Sequence, residues 1–250
     1  MIRSSGPYSE KPTQSVPCSI AMSDGPLPIE WRQSTRARRV SLRVSPRARQ
    51  IIVTLPASAS AEMGLKFLQR HTDWIEKQLK RRELAPDFEA GGLVPLNGAE
   101  YLIRHSPLGT GGAWLEQNEI HVSGELDFIP RRITDFLRQM ATRQFNKRVT
   151  ELAGKNGITP AQVAIRDTTS RWGSCTATGR IMLSWRLIMT PPLVQDYVIF
   201  HELAHICHLN HSAAFWKKLD SMTPHRMDAE LWLRLHGAAL MHAGSKRLSG

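Results

Sequence analysis

Short stretches of alternating apolar and polar residues dominate the first half of the chain, and apolar stripes at helical spacing dominate the second. From Ile29 to Leu55, Val40, Leu42 and Val44 share one face of one stretch, and Ile51, Val53 and Leu55 share one face of the next. Period-two alternation on both sides of a Pro-containing turn predicts a β-hairpin. Ser60 precedes Phe67, Leu68, Trp74, Ile75 and Leu79, which recur at helical spacing before the basic segment KQLKRREL and Pro86. A serine oxygen can accept from the free N–H groups of a first turn, so this reads as a capped helix. Gly91-Gly92 opens a second β region, in which LNGAEYLIRH and EIHVSG read as strands joined by the Gly-rich loop at 109 to 112. Pro130 suits the first turn of a long helix whose stripe of Ile133, Phe136, Met140, Val149 and Leu152 runs to the Asn156-Gly157 stop. A short strand near Val163 to Arg166, the segment SRWGSC, a strand IMLSWRLI and a helix opened by Pro191-Pro192 follow. The pattern is α+β, with a β-rich N-terminal part over 27–126 that holds one helix, and a helical part over 127–241. Residues 1–26, rich in Ser, Pro and Gly without periodicity, read as a disordered leader, and 242–250 as a basic tail.

A chain of 250 residues with 41% hydrophobic content can bury a core without disulfides. Its three cysteines, Cys18, Cys175 and Cys207, fit neither a disulfide framework nor a four-cysteine zinc module, which points to a reducing compartment and a cytoplasmic protein. No run of about 18 apolar residues is present to span a bilayer, and the N-terminus lacks the apolar core of a signal peptide. The formal net charge of +11 favours anionic partners, and weak, salt-sensitive, sequence-independent binding to nucleic acid is expected from it. The densest basic run, RQSTRARRVSLRVSPRARQ, alternates charged with apolar residues as a half-exposed strand does.

The chemistry concentrates in VIFHELAHICHLNHSAAFW, which carries H-E-x-x-H at His201, Glu202 and His205. Helical residues four apart lie on one face and about 6 Å along the axis, so both imidazoles reach one ion. Glu202 lies beside that ion, where its carboxylate can take a proton from an acidified water. A third ligand is needed. His208 is about 10.5 Å along a continuing helix from His201 and fits poorly. His211 follows Asn210, a residue suited to the left-handed conformation that ends a helix, and precedes Ser212, which can cap the next one. His211 is therefore the chosen ligand and Glu230, in MDAELWLRL, the alternative. Cys207 faces away from His205 and reads as core packing, as do Phe215 and Trp216. Arg171 and Trp172 are candidates for the cleft rim, Arg171 to hold a carboxylate or phosphate and Trp172 as an apolar wall, set against a purely structural turn. Tyr197 and His225 are possible oxyanion stabilisers on chemistry alone.

The blocks RWGSC, IMLSWRLI and HELAHICHLNHSAAFW together resemble the YgjP-like metallopeptidase-domain family of predicted metal-dependent hydrolases, distant relatives of the SprT-like zinc proteins. The resemblance implies a zincin-like fold, one Zn²⁺ per chain on His201, His205 and His211, and Glu202 as general base and acid. The spacing is similar to H-E-x-x-H-x-x-G-x-x-H, but His208 stands where that pattern has glycine. The favoured reaction is cleavage of a peptide or protein substrate, with the strand around Ile181 to Trp185 pairing to an extended peptide. The alternatives are hydrolysis of a nucleotide phosphoanhydride, which the positive charge and Arg171 suit, and a nucleic-acid-associated protein with a structural zinc.

Overall fold

The computed structural model describes residues 17–22, 25–45, 50–168 and 170–244. The chain forms two compact units, a smaller one up to Lys80 and a larger one over Arg81–Arg247. That division falls earlier than the boundary read from the pattern at 126, because the second β region packs into the larger unit's core.

In the smaller unit, β1 (Ser19–Met22), β2 (Gly25–Ser34), β3 (Ser41–Val44) and β4 (Ile51–Pro56) form a sheet in the order β1-β2-β4-β3. The expected hairpin is the antiparallel β3–β4 pair. The leader is ordered at its C-terminal end, contrary to expectation. Ser19–Met22 pairs with Gly25–Pro28, Ile20 and Met22 pack on the core, and the indole of Trp31 donates to the Pro17 carbonyl at 2.9 Å. The alternation of Ile20 and Met22 is masked by the Ser- and Pro-rich residues around it. Residues 1–16 of the leader and 245–250 of the tail lie outside the described residues. Ser60 caps α1 (Ala61–Arg70) by accepting from the Met63 N–H at 3.2 Å. The single helix expected here is two, because the chain breaks at His71 before α2 (Thr72–Glu83). Leu68, Ile75 and Leu79 fill the core with the sheet residues Leu27, Ile29, Ile51, Val53 and Leu55, whereas Trp74 is 40% exposed.

The larger unit holds two sheets. The first is β5 (Leu93–Leu96), β6 (Ala99–His105), β7 (Ala113–Glu116) and β8 (Glu119–Val122), in the order β5-β6-β8-β7. The Asn97-Gly98 and Gln117-Asn118 turns adopt the positive φ that two-residue hairpin loops demand. Helix α3 (Ile129–Lys155) buries Ile133, Leu137, Ala141, Phe145, Val149 and Leu152, and stops where Gly157 turns left-handed. The second sheet contains β9 (Gln162–Arg166), β10 (Gly173–Cys175) and β11 (Arg180–Ser184), ordered β10-β11-β9. The IMLSWRLI strand ends at Ser184, and Trp185–Met189 form a buried 3₁₀ turn. With a neighbour on each side, β11 has no edge for an added peptide, which corrects that expectation. Helices α4 (Pro192–Cys207), α5 (Ala213–Met222) and α6 (Arg226–Leu240) complete the unit. Among the described residues no helix is long and apolar enough to cross a membrane.

Polar contacts fix the start of α4. The side-chain amides of Asn97, Gln144 and Gln195 bond to one another at 2.7 to 3.2 Å, joining the β5–β6 turn, α3 and α4. Gln195 also donates to the Thr190 carbonyl at 2.8 Å, and Arg148 grips Asp196 through two nitrogens at 2.7 and 2.5 Å. The planar guanidinium fork matches a carboxylate with both bonds, so α4 is held in rotation as well as position.

Candidate metal centre

Pro192 opens α4 in the first turn, and the apolar run Tyr197 to Phe200 buries its middle. His201 and His205 therefore emerge one turn apart on a helix fixed within the core, half-buried rather than free in solvent. The chain leaves the helix after Cys207, with His208 as an extended C-cap. Asn210 is not among the residues with positive φ, so the reversal needs no left-handed residue. Ser212 caps α5 by accepting from the Phe215 N–H at 3.4 Å, as expected. Between these two ends the loop delivers His211, whose Nε2 lies 3.1 Å from Nε2 of His201. One ligand nitrogen from each of His201, His205 and His211 falls within 4.8 Å of the others.

The spacing suits one small cation, since nitrogens on a tetrahedral zinc lie about 3.4 Å apart. The His205 Nδ1 meets the His208 carbonyl at 3.1 Å, which assigns the proton to Nδ1 and leaves Nε2 as a free electron pair. Burial, reinforced by the neighbouring His205 and His211, pushes the His201 imidazole down to about 4, so it stays neutral and able to bind metal. The Nδ1 of His201 and Oε2 of Glu202 are buried without a partner. Burial raises the Glu202 carboxyl to about 8, against the opposing pull of Arg171. It rests against β10 at Gly173, where an added Cβ would collide with the carboxylate, so glycine is what lets the strand lie this close. Three convergent imidazoles with a dry carboxyl alongside fit a metal-held water and its base.

A family model described as YgjP-like, metallopeptidase domain, matches residues 38–236. The chain belongs to that family. The match spans both compact units of this YgjP-like chain and contains the whole histidine cluster. No curated protein matches it. Among solved structures, the metallopeptidase zymogen of Pyrococcus abyssi abylysin is similar at 22% identity, over 37% of this chain and 91% of that one, with a TM-score of 0.33.

Around the YgjP-like centre, Phe215 is fully buried and its ring lies 4.5 to 5.0 Å from all three imidazoles, so it is both core and floor of the site. Trp216 stacks on His211 at 5.5 Å and carries the Arg226 guanidinium at 5.2 Å. Cys207 is exposed, not core, because the helix ends there. Glu230 is not gathered with the histidines. It accepts from the Tyr197 hydroxyl at 3.0 Å and pairs with Arg226 at 3.6 Å. Tyr197, whose hydroxyl titration is pushed upward by burial and by Glu230, lies with its ring 6.0 Å from His201. His225 stands at the N-terminus of α6, 4.0 Å from Asp228. Arg171 is exposed but close enough to act on Glu202, and Trp172 packs on the core near Gly237 of α6.

Sequence reasoning missed Arg186, which organises the loop leading into β10. Its buried guanidinium bonds to Asp167, to the Thr168 carbonyl at 3.3 Å and to the Ala243 carbonyl at 3.1 and 3.2 Å. It also lies 4.5 Å over the Trp185 ring, whose indole donates to Asp167 at 3.0 Å. Burial raises the Asp167 carboxyl, but Arg186, Trp185 and Arg138 outweigh it and hold the group below its usual range. An arginine inside an otherwise apolar run was the available signal.

Proposed function

We propose that the chain is a zinc-dependent peptidase with a zincin-like site. The observation that carries this is the convergence of His201, His205 and His211 on one point, with the buried Glu202 carboxyl beside them. Neutral imidazole suits zinc among the first-row ions available to such a site, and three protein ligands leave a position open. A bound zinc would supply Lewis acidity, lowering the pKa of a water and polarising the scissile carbonyl. Glu202 then takes the proton of the attacking water and returns it to the leaving amine. A carboxylate at this position suits both transfers. Gly173 lets the β10 backbone lie against Glu202, and β10 is an edge of its sheet, so an extended peptide has a free row of backbone groups next to the base. Arg171, exposed and close enough to act on Glu202, would attract a substrate carboxylate. The family's peptidase character supports an amide over a phosphoanhydride as substrate, and three free cysteines support work in the reducing cytoplasm.

The test is metal analysis of the purified protein together with cleavage of a peptide library and of a nucleotide panel, before and after chelation. Zinc near one per chain with chelator-sensitive peptide cleavage supports the reading. Chelator-sensitive nucleotide hydrolysis without peptide cleavage transfers the site to phosphoanhydrides, and activity indifferent to chelation removes the metal altogether.

A further inference from the structure

We infer that the smaller unit carries a binding groove for single-stranded nucleic acid, separate from the metal centre. The groove has a volume of about 1040 Å³ and is bounded by Arg38–Leu42, by the β4–α1 connection and by one face of α1 running on to Trp74. Every lining residue belongs to the smaller unit. Its apolar surface includes Phe67, Met63 at 54% exposure and Trp74 at 40%. The break at His71 resets the helix so that Ile75 and Leu79 take the core positions, and Trp74 is left facing out. The partly exposed indole, with Met63 and Phe67 beside it, offers a contiguous apolar surface to a ligand.

Charge says which ligand. Arg38, Arg39 and Arg70 are exposed along the groove and have no acidic partner among the described residues. Lys66 is paired with Glu62 at 2.8 Å, and Glu62 is the one acidic residue lining the groove. Between Gly25 and Lys80 the sequence has eleven Arg and Lys against four Asp and Glu, so the field over this unit is strongly positive. A ligand that satisfies both features needs regularly spaced anions and flat apolar rings. A single strand offers phosphates to the guanidinium forks and unstacked bases to Trp74 and Phe67. A duplex hides its rings in its own stack, and an acidic bilayer is flat where this surface is concave. An acidic peptide supplies charge without the rings.

The experiment measures fluorescence anisotropy of a labelled dT oligonucleotide with the full chain at about 50 and about 200 mM salt, where phosphate contacts lose strength. Arg38→Glu combined with Arg39→Glu should weaken binding at least about tenfold and flatten the salt dependence, because two phosphate contacts contribute about 1.4 to its slope. Trp74→Ala should weaken binding about 5- to 100-fold with the salt slope unchanged, and Trp74→Phe, which keeps a ring, should retain most of the affinity. Arg180→Glu combined with Arg234→Glu makes the same charge change on the larger unit and should cost less than about threefold. Equal losses from both double variants would mean general charge attraction and overturn the groove. So would indifference to Trp74→Ala, tighter binding of a duplex of the same length, or capture of phosphatidylserine vesicles in place of the oligonucleotide. Chelator should leave the binding unchanged, since no groove residue is a candidate ligand, so a failed peptidase assay and a failed groove are told apart.

Discussion

Two of the buried polar clusters of the larger unit treat their groups in opposite ways. Around Arg186 each guanidinium nitrogen has an acceptor, Asp167 is held charged, and an indole covers the pair. Around His201 and Glu202 a ring nitrogen and a carboxylate oxygen are buried with no protein partner. Leaving such atoms unpaired costs on the order of 1 to 3 kcal/mol each, which a fold built only for stability would remove. The contrast separates a buried guanidinium whose own donors are all met from a histidine and a carboxyl open to something from outside, although Arg138 Nε beside Asp167 is also unpartnered. The same chain segment links them, since the loop anchored by Asp167 and Arg186 continues into β10, against which Glu202 rests.

The sharpest way to break this comparison is at Glu202. Glu202→Gln keeps the shape of the open cluster and removes its base, so turnover should fall about 10² to 10⁴-fold with metal content intact, measured by steady-state assay and metal analysis on one preparation. Loss of metal in that variant would make Glu202 a ligand and dissolve the distinction between base and metal cage. At His211 the expected loss is in affinity. His211→Ala should weaken zinc binding by more than about 100-fold, beyond the 10- to 100-fold usual for residues that only orient ligands. His208→Ala should retain the metal, because that residue contributes its backbone carbonyl, and so should Glu230→Ala. A metal-free Glu230→Ala with a loaded His211→Ala would exchange their roles.

The closed cluster is tested by stability. Arg186→Met should lower unfolding free energy by about 2 to 3 kcal/mol in urea titration, less than the ~3 to 5 of a fully enclosed pair, because Asp167 is half-exposed. An unchanged midpoint would show that the cluster is as dispensable as a surface pair. A smaller effect reads the dryness of the open cluster from the side. Cys175 on β10 has its thiol pushed up to about 11 by burial and by the Glu202 carboxylate. Thiolate supply falls with each unit while nucleophilicity partly recovers, so alkylation of Cys175 at pH 8 should run about tenfold slower than that of exposed Cys207. Equal rates by mass spectrometry would place water freely at β10.

How much of this was legible in the sequence depends on how far apart the cooperating residues lie. His201, Glu202 and His205 were readable because one helical turn fixes their geometry, and Ser60, Ser212 and Pro192 because capping is local. The pairing of Asp167 with Arg186 spans 19 positions and depends on a sheet crossing, which no periodicity reports. The strand β7 hid in a Gly-rich stretch, and the turn at Trp185 hid in an apolar run that suits a strand equally well. Cys207 differs for another reason: helical angle says nothing of burial at the residue where the helix stops and the core ends.

The amide knot of Asn97, Gln144 and Gln195 has a consequence for how the molecule would come apart. None of its groups titrates, so acid and salt leave it intact while they act on the charged contacts elsewhere in the unit. The two ends of α4 should therefore open independently in native-state hydrogen exchange. Amides near Gln195 should exchange only with global unfolding, whereas those from His205 onward, at the end of the helix where Cys207 is exposed, should exchange through a local opening. Metal would then close the looser end against a fixed one, and the helix would register its cargo as slowed exchange over its last turn alone.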